Sequence, residues 1–94
     1  MRKDRPAHGD VLTRLARIEG HTRGIRRMIE DERPCEDVLL QIGAVQAAWR
    51  KVSEIILEDH LEHCIAEAVE EGRSDAALRD LKMALSRAHL IGGS

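Results

Sequence analysis

The stretch that decides the fold is residues 34–72, PCEDVLLQIGAVQAAWRKVSEIILEDHLEHCIAEAVEEG. Its apolar side chains recur every three or four residues, which is the period of an α-helix with one buried side. Pro34 suits the first turn of such a helix, and Gly72 suits the position just after its end. The stretch therefore predicts one long helix that ends at about Glu71.

A second helical pattern precedes this stretch. Apolar residues from Val11 to Ile29 also recur every three or four positions, and Asp10 is a suitable N-cap for the helix that they predict. Arg33 should lie outside that helix, because a residue before proline is pushed out of the α region. A first helix is therefore expected between Asp10 and Arg33.

A third, shorter pattern follows the long helix. Ser74 is its expected N-cap, and leucines at 78, 81 and 85 recur at helical spacing. No alternation typical of a strand occurs in the sequence. The predicted fold class is all-α, with three helices of which the second is the longest. The expected organisation is a flexible N-terminal arm at 1–9, one helical domain at 10–90 and a frayed C-terminus at 91–94.

The small size of the chain predicts self-association. A chain of 94 residues buries only about 60–65% of the surface that it exposes when unfolded. Trp49 is the only aromatic residue, so the core lacks the large rings that usually supply buried area. The two cysteines do not make a disulfide scaffold. Oligomerisation is the remaining common source of stability.

The sequence also argues against several classes of protein. No secretory signal is visible, and no apolar run approaches the ~20 residues that span a bilayer. We therefore expect a cytoplasmic protein with no membrane partner, in which cysteines stay reduced and tend to be metal ligands or redox centres. No nucleophile–base pair or cofactor loop is present, so neither an enzyme nor a small-molecule substrate is expected.

The charge is unevenly distributed along the chain, although the net charge is only −2. Residues 1–27 carry eight Lys or Arg against three acids, whereas residues 34–72 carry two against nine. A protein can bind a polyanion without being basic overall if its cations share one surface. The basic first region is therefore a candidate nucleic-acid-binding surface, with ordinary solvated helix faces as the alternative.

The cysteines and one histidine make a candidate metal site. His60 and Cys64 are four residues apart, so a helix places this imidazole and thiol one turn apart on one face. Both continue the apolar stripe of the long helix and should face packed surface. Cys35 lies at the N-terminus of that helix, where the helix dipole favours a thiolate. These three residues are the predicted metal ligands.

The length of the second helix places this site between subunits. Cys35 and Cys64 are 29 positions apart. That is about 43 Å along a continuous helix, so they cannot ligate one ion within one chain. An antiparallel pair of such helices around a twofold axis brings Cys35 of each chain to His60 and Cys64 of the other. Near the expected axis lie small residues that permit close helix approach: Gly43, Ala44, Ala47 and Ala48.

The donor set favours particular metals. Two thiolates and an imidazole form a soft set of three donors, which suits Cu(I). Zinc would require a fourth ligand to complete a tetrahedron. Ni(II) in a square-planar site would also require a fourth donor, for which His8 is the candidate. The remaining histidines are not expected to be ligands: His21, His63 and His89.

Three motifs in the chain resemble those of a known family. Residues 14–21, RLARIEGH, resemble a RLxRIEGQ segment; residues 33–41, RPCEDVLLQ, resemble RxCxDVLxQ; residues 58–64, EDHLEHC, resemble EDHLxHC. These segments are typical of the copper-sensing operon repressor family, the CsoR/RcnR family, and they occur in its order and separation. The resemblance implies a three-helix protomer, an antiparallel helical-bundle dimer and a disc-shaped dimer of dimers.

The resemblance also implies which residues surround the metal. Cys35, His60 and Cys64 correspond to the Cys-His-Cys set of the copper branch. Asp80 takes the place of a glutamate on the third helix that lies beside the ligands and couples them to DNA. Its side chain is one methylene shorter than that glutamate. Pro34 stands where copper-sensing members often have tyrosine.

The DNA contacts follow from the same resemblance. Arg14 and Lys51 match family positions tied to DNA binding, with Arg17, Arg23 and Arg50 as expected helpers. No helix-turn-helix is present, so these contacts should be mostly to phosphate, which gives affinity and salt dependence rather than base readout. The partner would be double-stranded operator DNA.

The function that the resemblance implies is repression relieved by metal. The apo homotetramer would bind operator DNA, and Cu(I) would bind a form that holds DNA poorly. One alternative is a nickel-responsive repressor that adds His8, although Lys3 stands where that ligand would align. Another is a persulfide- or thiol-sensing repressor that uses Cys35 and Cys64, against which His60 argues because that branch lacks it.

Overall fold

The structure, a computed structural model, describes residues 1–88, and every regular element within them is helical. In chain order the elements are helix α1 (His8–Glu30), helix α2 (Cys35–Asp59), a π-helical segment (His60–Cys64), helix α3 (Ile65–Glu70) and helix α4 (Ser74–Arg87). Because α2, the π-helical segment and α3 follow one another without a break, residues 1–88 form three helical stretches. The predicted all-α class with a long second stretch is confirmed.

The chain divides into two compact units, Met1–Asp59 and the residues from His60 onward. The first unit is an antiparallel hairpin of α1 and α2, joined by the connection at residues 31–34. The second contains the π-helical segment, which contacts α3, and α4, which also contacts α3. No helix within residues 1–88 is long and apolar enough to cross a membrane.

The hairpin is held by one apolar cluster, called here the hairpin core. Its buried members are Val11 and Ile18 of α1 and Val52 of α2. Packed around them are four partly buried residues: Leu15, Val45, Ala48 and Ile55. Burying an isoleucine or valine side chain contributes about 1.5–3 kcal/mol, so these few residues supply much of the free energy that holds α1 against α2.

Helix α1 ends in a Schellman motif without glycine. The Arg33 N–H donates to the Met28 carbonyl at 2.9 Å, and the Glu32 N–H donates to the Ile29 carbonyl at 3.1 Å. These bonds satisfy carbonyls that the end of a helix otherwise leaves open. The motif requires a left-handed residue, and Glu32 takes that position with φ 56°. A side chain in this conformation costs about 1–2 kcal/mol.

The second unit has less buried apolar surface among its described residues. Ala68 of α3 is fully buried, whereas no residue of α4 is. Helix α3 ends in the same Schellman motif: the Arg73 N–H donates to the Ala68 carbonyl, and the Gly72 N–H donates to the Val69 carbonyl. Here Gly72 takes the left-handed position, with φ 74°. The predicted role of Gly72 as the residue after the helix is confirmed.

Two helix starts differ from the sequence prediction. Helix α1 begins at His8, so His8 and Gly9 are helical rather than part of the arm, and Asp10 lies in the first turn. Ser74 is the first residue of α4 rather than its N-cap; Arg73 precedes it, and no side chain caps the helix. Helix ends commonly shift by one or two residues in this way. The predicted frayed C-terminus at 91–94 lies outside the described residues.

Candidate metal centre and nucleic-acid interface

Cys35 is the first residue of α2, as the sequence predicted. The carbonyl of Pro34 accepts the N–H groups of Asp37 and Val38 at 3.1 and 3.2 Å, which closes the first turn of the helix. Proline can occupy this position because the first turn needs no N–H from it. The Cys35 thiol is exposed and forms no disulfide. It is therefore open to a ligand that approaches from outside the chain.

His60 and Cys64 are the first and last residues of the π-helical segment. In a π-helix each turn is one residue wider than an α-turn, and such single turns within α-helices occur frequently at functional sites. Four residues fall just short of one such turn, so the two side chains still share a side. Both are half-buried. The spacing predicted the shared side but not the π-helical backbone.

Arg73 is a residue near Cys64 that the sequence did not single out. Its guanidinium donates a 2.7 Å hydrogen bond to the Glu71 carboxylate, and this bond is the main reason that the pKa of Arg73 is raised. Glu67 and Cys64 raise the same pKa less strongly, so the cation lies within electrostatic range of the thiol.

The single chain does not assemble the three predicted ligands. Within residues 1–88, no three His, Cys, Asp or Glu side chains converge on a point that could hold a metal. Cys35 belongs to the hairpin, and His60 and Cys64 belong to the second unit. The predicted site joins two subunits, so the Cys-His-Cys set stays a prediction.

The accessory metal residues are placed as follows. His8 begins α1, and because the hairpin is antiparallel it lies at the end of the hairpin where α2 finishes, at Asp59. Asp80 is exposed on α4, which packs against α3 and, within the described chain, not against His60–Cys64. The structure therefore does not bring Asp80 to the two ligands in one chain, and its coupling role stays a prediction.

The remaining histidines have other surroundings. His63 lies 3.9 Å from the Glu62 carboxylate. His21 forms a 2.7 Å hydrogen bond with Gln41, which joins α1 to α2. His89 lies outside the described residues.

Helix α2 carries an exposed stripe at heptad spacing, called here the α2 stripe. Ile42, Trp49 and Ile56 are seven residues apart, and they are 37%, 48% and 41% exposed. The stripe starts at Cys35, and three further residues lie between its members: Leu39, Gln46 and Ser53. Together these positions alternate steps of four and three residues, which is the spacing of a coiled-coil seam. His60 takes the next position of this spacing in the sequence. Apolar side chains repeated at this interval are typical of a helix that packs along a partner helix.

The predicted DNA-binding residues of α1 lie on two sides of the helix. Arg14 and Arg17 are one turn apart, whereas Arg23 is nine residues, about two and a half turns, from Arg14 and so faces the opposite way. The Arg14 guanidinium donates a 3.1 Å hydrogen bond to Asp10. Arg17 and Arg23 form no ion pair within the described residues, so their charges are available to a polyanion.

The predicted DNA-binding residues of α2 are Arg50 and Lys51, both exposed. Arg50 is two residues from the buried Val52, which places it on the opposite side of the helix from the hairpin core. The Lys51 ammonium lies 3.9 Å from the Glu54 carboxylate. An exposed ion pair of this length contributes about 0–1 kcal/mol, so Lys51 can exchange it for a phosphate at little cost.

Comparison with known proteins identifies the family. Residues 7–87 match the family described as metal-sensitive transcriptional repressors. The chain belongs to this family. The match covers α1 to α4, so every residue of the predicted metal and DNA sites lies within it. The family is one of transcriptional repressors, not enzymes, as the sequence predicted.

Curated relatives within the family carry copper-sensing names. The chain is 48% identical over 71 residues to the copper-sensing transcriptional repressor CsoR of Bacillus subtilis (strain 168), covering 76% of this chain and 70% of that protein. It is 47% identical over 89 residues to the copper-sensing transcriptional repressor RicR of Mycobacterium tuberculosis, covering 86% and 93%. The resemblance to the copper-sensing repressors is thereby confirmed.

Solved structures of similar fold include sensors of two metals. The copper-sensing repressor CsoR with Cu(I) from Geobacillus thermodenitrificans NG80-2 matches with a TM-score of 0.85 and 41% identity, over 93% of this chain and 90% of that one. The nickel-responsive transcriptional regulator InrS matches with a TM-score of 0.75 and 40% identity, over 93% and 98%. Sensors of different metals therefore share this fold.

Proposed function

We propose that this chain is a copper-responsive repressor of transcription, which binds operator DNA as an apo tetramer and releases it when Cu(I) binds. The site would combine Cys35 of one subunit with His60 and Cys64 of another. The observation that carries the proposal is the α2 stripe, because it begins at Cys35 and its spacing leads to His60. The copper-sensing relatives support the choice of metal.

The α2 stripe supports a dimer in which two α2 helices run antiparallel. Its apolar members are each more than a third exposed in the single chain, so a second copy of α2 would bury them. Burial contributes about 25 cal/mol per Å² of apolar surface removed from water. An antiparallel partner would place Cys35 at the far end of the stripe, opposite the partner's counterparts of His60 and Cys64.

The donor chemistry fits Cu(I). Two thiol sulfurs and one imidazole are soft donors, and Cu(I) prefers soft donors at low coordination number. Cu(I), when bound, supplies a link between two subunits. Each thiol gives up a proton on ligation, so metal affinity should rise with pH. The Cys35 thiol is exposed, so a metal held by another subunit can reach it.

The basic residues supply affinity for DNA. Arg14, Arg17, Arg50 and Lys51 would contact phosphates, with Arg23 on another face of α1 as a further contact from the assembled tetramer. Metal can release DNA only if it binds the two arrangements of the tetramer with different affinity. By linkage, DNA must then weaken metal binding by the same factor.

The test is a titration of Cu(I) into a complex of the apo protein with a fluorescently labelled operator, a DNA duplex that the apo protein selects from a random-sequence library. The expected result is a fall in DNA affinity of about 5–150-fold at one Cu(I) per chain. An unchanged DNA affinity at saturating Cu(I) would disprove the proposal. A His60→Ala variant is the control: it should lose the response to Cu(I), but a purely thiol-sensing repressor would keep its response to oxidants.

A second candidate is a nickel-responsive repressor. It is favoured by the position of His8, at the end of the hairpin where α2 finishes, and by the similarity to InrS. His8 would be the fourth donor that a planar Ni(II) site requires. X-ray absorption of the metal-loaded protein separates the two, because Cu(I) with three donors and planar Ni(II) have different spectra. His8→Ala should alter only the nickel spectrum.

A further inference from the structure

A polar link joins α1 to α2 near the Cys35 end of the hairpin. The His21 Nε2–H donates to the Gln41 Oε1 at 2.7 Å, and the pair is partly buried. The two residues are twenty positions apart, so the bond fixes the position of one helix against the other. A hydrogen bond shielded from water in this way contributes about 0.5–1.5 kcal/mol.

A half-open cavity adjoins this link. Its volume is about 330 Å³, and it is lined mainly by residues of α1, with Gln41 as the lining residue from α2. The hairpin core lies further from the connection, from Ile18 and Val45 towards Val11 and Ile55. At the Cys35 end, Val38 of α2 is buried, and the His21–Gln41 hydrogen bond joins α1 to α2 beside the cavity.

The link lies between the predicted metal and DNA residues. Gln41 is six residues after Cys35 on α2, a rise of about 9 Å. His21 is four residues after Arg17 on α1, on the same side of that helix. The Gln41–His21 bond therefore connects the N-terminal part of α2 with the side of α1 that carries Arg17.

We propose that His21 is a positioning residue for DNA release, on the basis of its 2.7 Å bond to Gln41, which joins α1 to α2 beside the cavity. The bond holds Arg14 and Arg17 in the DNA-binding arrangement of the apo protein. Ligation of Cys35 shifts the start of α2 and breaks it. This inference rests on the proposed function, and it assigns the coupling between metal binding and DNA affinity to the His21–Gln41 bond.

The test compares operator affinity without and with Cu(I) in four full-length proteins. These are wild type, His21→Ala, His21→Gln and Thr22→Ala. The Gln variant keeps an N–H that can donate to Gln41. Thr22 is the matched control, because its hydroxyl donates to the Ile18 carbonyl at 2.8 Å within α1 and makes no link to α2.

The expected result is specific to His21. In His21→Ala the apo protein should bind operator about fivefold more weakly, which is the loss of one such hydrogen bond, while the Cu(I)-loaded affinity stays unchanged. The ratio of apo to Cu(I)-loaded operator affinity therefore falls, whereas the number of Cu(I) ions bound per chain stays the same. His21→Gln should restore the ratio, and Thr22→Ala should keep it. A merely structural role would lower the Tm and leave the ratio at its wild-type value.

Failure of this inference is distinguishable from failure of the proposed function. A wild-type protein that keeps its operator affinity on addition of Cu(I) overturns both. A wild-type protein that responds, together with a His21→Ala variant that responds equally, overturns this inference alone. If His21→Ala does not fold, Gln41→Met replaces it, because methionine keeps the side-chain length and removes the acceptor. A wild-type ratio in Gln41→Met overturns the inference.

Discussion

The hairpin and the second unit differ in how far each is stabilised by its own residues. The hairpin buries Val11, Ile18 and Val52 in one cluster, which joins its two long helices. From His60 to residue 88, the only buried hydrophobic residue is Ala68. Both units nevertheless end a helix with the same Schellman motif and the same two backbone hydrogen bonds. The hydrogen bonds that end these helices are thus the same in both units, whereas the burial of apolar surface differs.

This difference bears on where the predicted ligands lie. Cys35 is anchored on the better-packed unit, whereas His60 and Cys64 lie on a π-helical turn of the less well-packed one. Regions with few buried apolar contacts open more readily than a core does, and moving elements are drawn from them. A metal that joins Cys35 to His60 and Cys64 would therefore link the hairpin of one subunit to the unit with less buried apolar surface in another.

The largest expected effect is on Cu(I) affinity, when different predicted ligands are removed from two variant chains. Cys35→Ala alone, or His60→Ala with Cys64→Ala, should lower Cu(I) affinity by more than about a hundredfold, because losing a ligand costs more than losing its supporting contacts. Mixing the two variant proteins should restore one tight site for each mixed dimer. Competition with a Cu(I) chelator measures both results.

The mixing result decides where the site is. One mixed dimer holds an intact Cys35 on one chain and intact His60 and Cys64 on the other, so an inter-subunit site recovers. A site built within one chain would stay broken in the mixture. Thr13→Ala, which removes only an exposed hydrogen bond within α1, is the control for handling and exchange.

The next effect tests the difference in burial directly. Ile18→Ala in the hairpin core should lower the free energy of unfolding by about 2–5 kcal/mol, because it leaves a cavity where 4% of the residue surface is exposed. Leu78→Ala in α4, where 41% is exposed, should cost less than about half of that. Denaturant unfolding gives both values. An equal cost would mean that α4 is buried against another subunit.

A smaller effect tests the motif that the two units share. Gly72→Ala should destabilise the protein by about 1–2 kcal/mol, because alanine at φ 74° places its Cβ against the following carbonyl. No atom lies within 4 Å of the added Cβ, so the cost is conformational and not steric contact with other residues. Gly9→Ala, at an exposed glycine of α1 with equally open surroundings, is the control and should be neutral or stabilising.

The smallest expected effect is a gain in stability, where the preceding substitutions cause a loss. Glu32→Gly should stabilise the hairpin by less than about 1 kcal/mol: it removes the strain of a left-handed glutamate at φ 56°, but glycine also loses more chain entropy on folding. The Tm should rise by a few degrees at most. A fall in Tm would mean that the entropic cost of glycine exceeds the strain of the left-handed glutamate.

The sequence predicted those features that depend on local chemistry. Pro34 and Gly72 predicted the start and the end of the long helical stretch. The proline ring and a glycine with a positive φ constrain only the one or two residues around them, so their effect can be predicted from the local sequence. Asp10 and Ser74 were less informative. Each is a good capping residue, yet each lies inside the first turn, since a cap is worth only about 1 kcal/mol and one residue of shift costs little.

Other features could not be predicted from the sequence. His60 and Cys64 share one side of the helix whether the backbone between them is α-helical or π-helical. The periodicity of the sequence therefore does not distinguish the two. The His21–Gln41 bond depends on how α1 lies against α2, which no pattern within one helix determines. The joining of Cys35 to the other two ligands depends on a second chain, and for that reason sequence and single-chain structure leave it as a proposal.

Trp49 gives the α2 stripe a practical consequence. It is the only aromatic residue in the chain, and it is half-exposed at the middle of the stripe. Its indole fluorescence therefore arises from one known place, with no tyrosine signal beneath it. As the protein is diluted and subunits separate, the emission should shift to longer wavelength when water reaches the ring. Each chain thus contains its own optical probe of assembly, and no label needs to be attached.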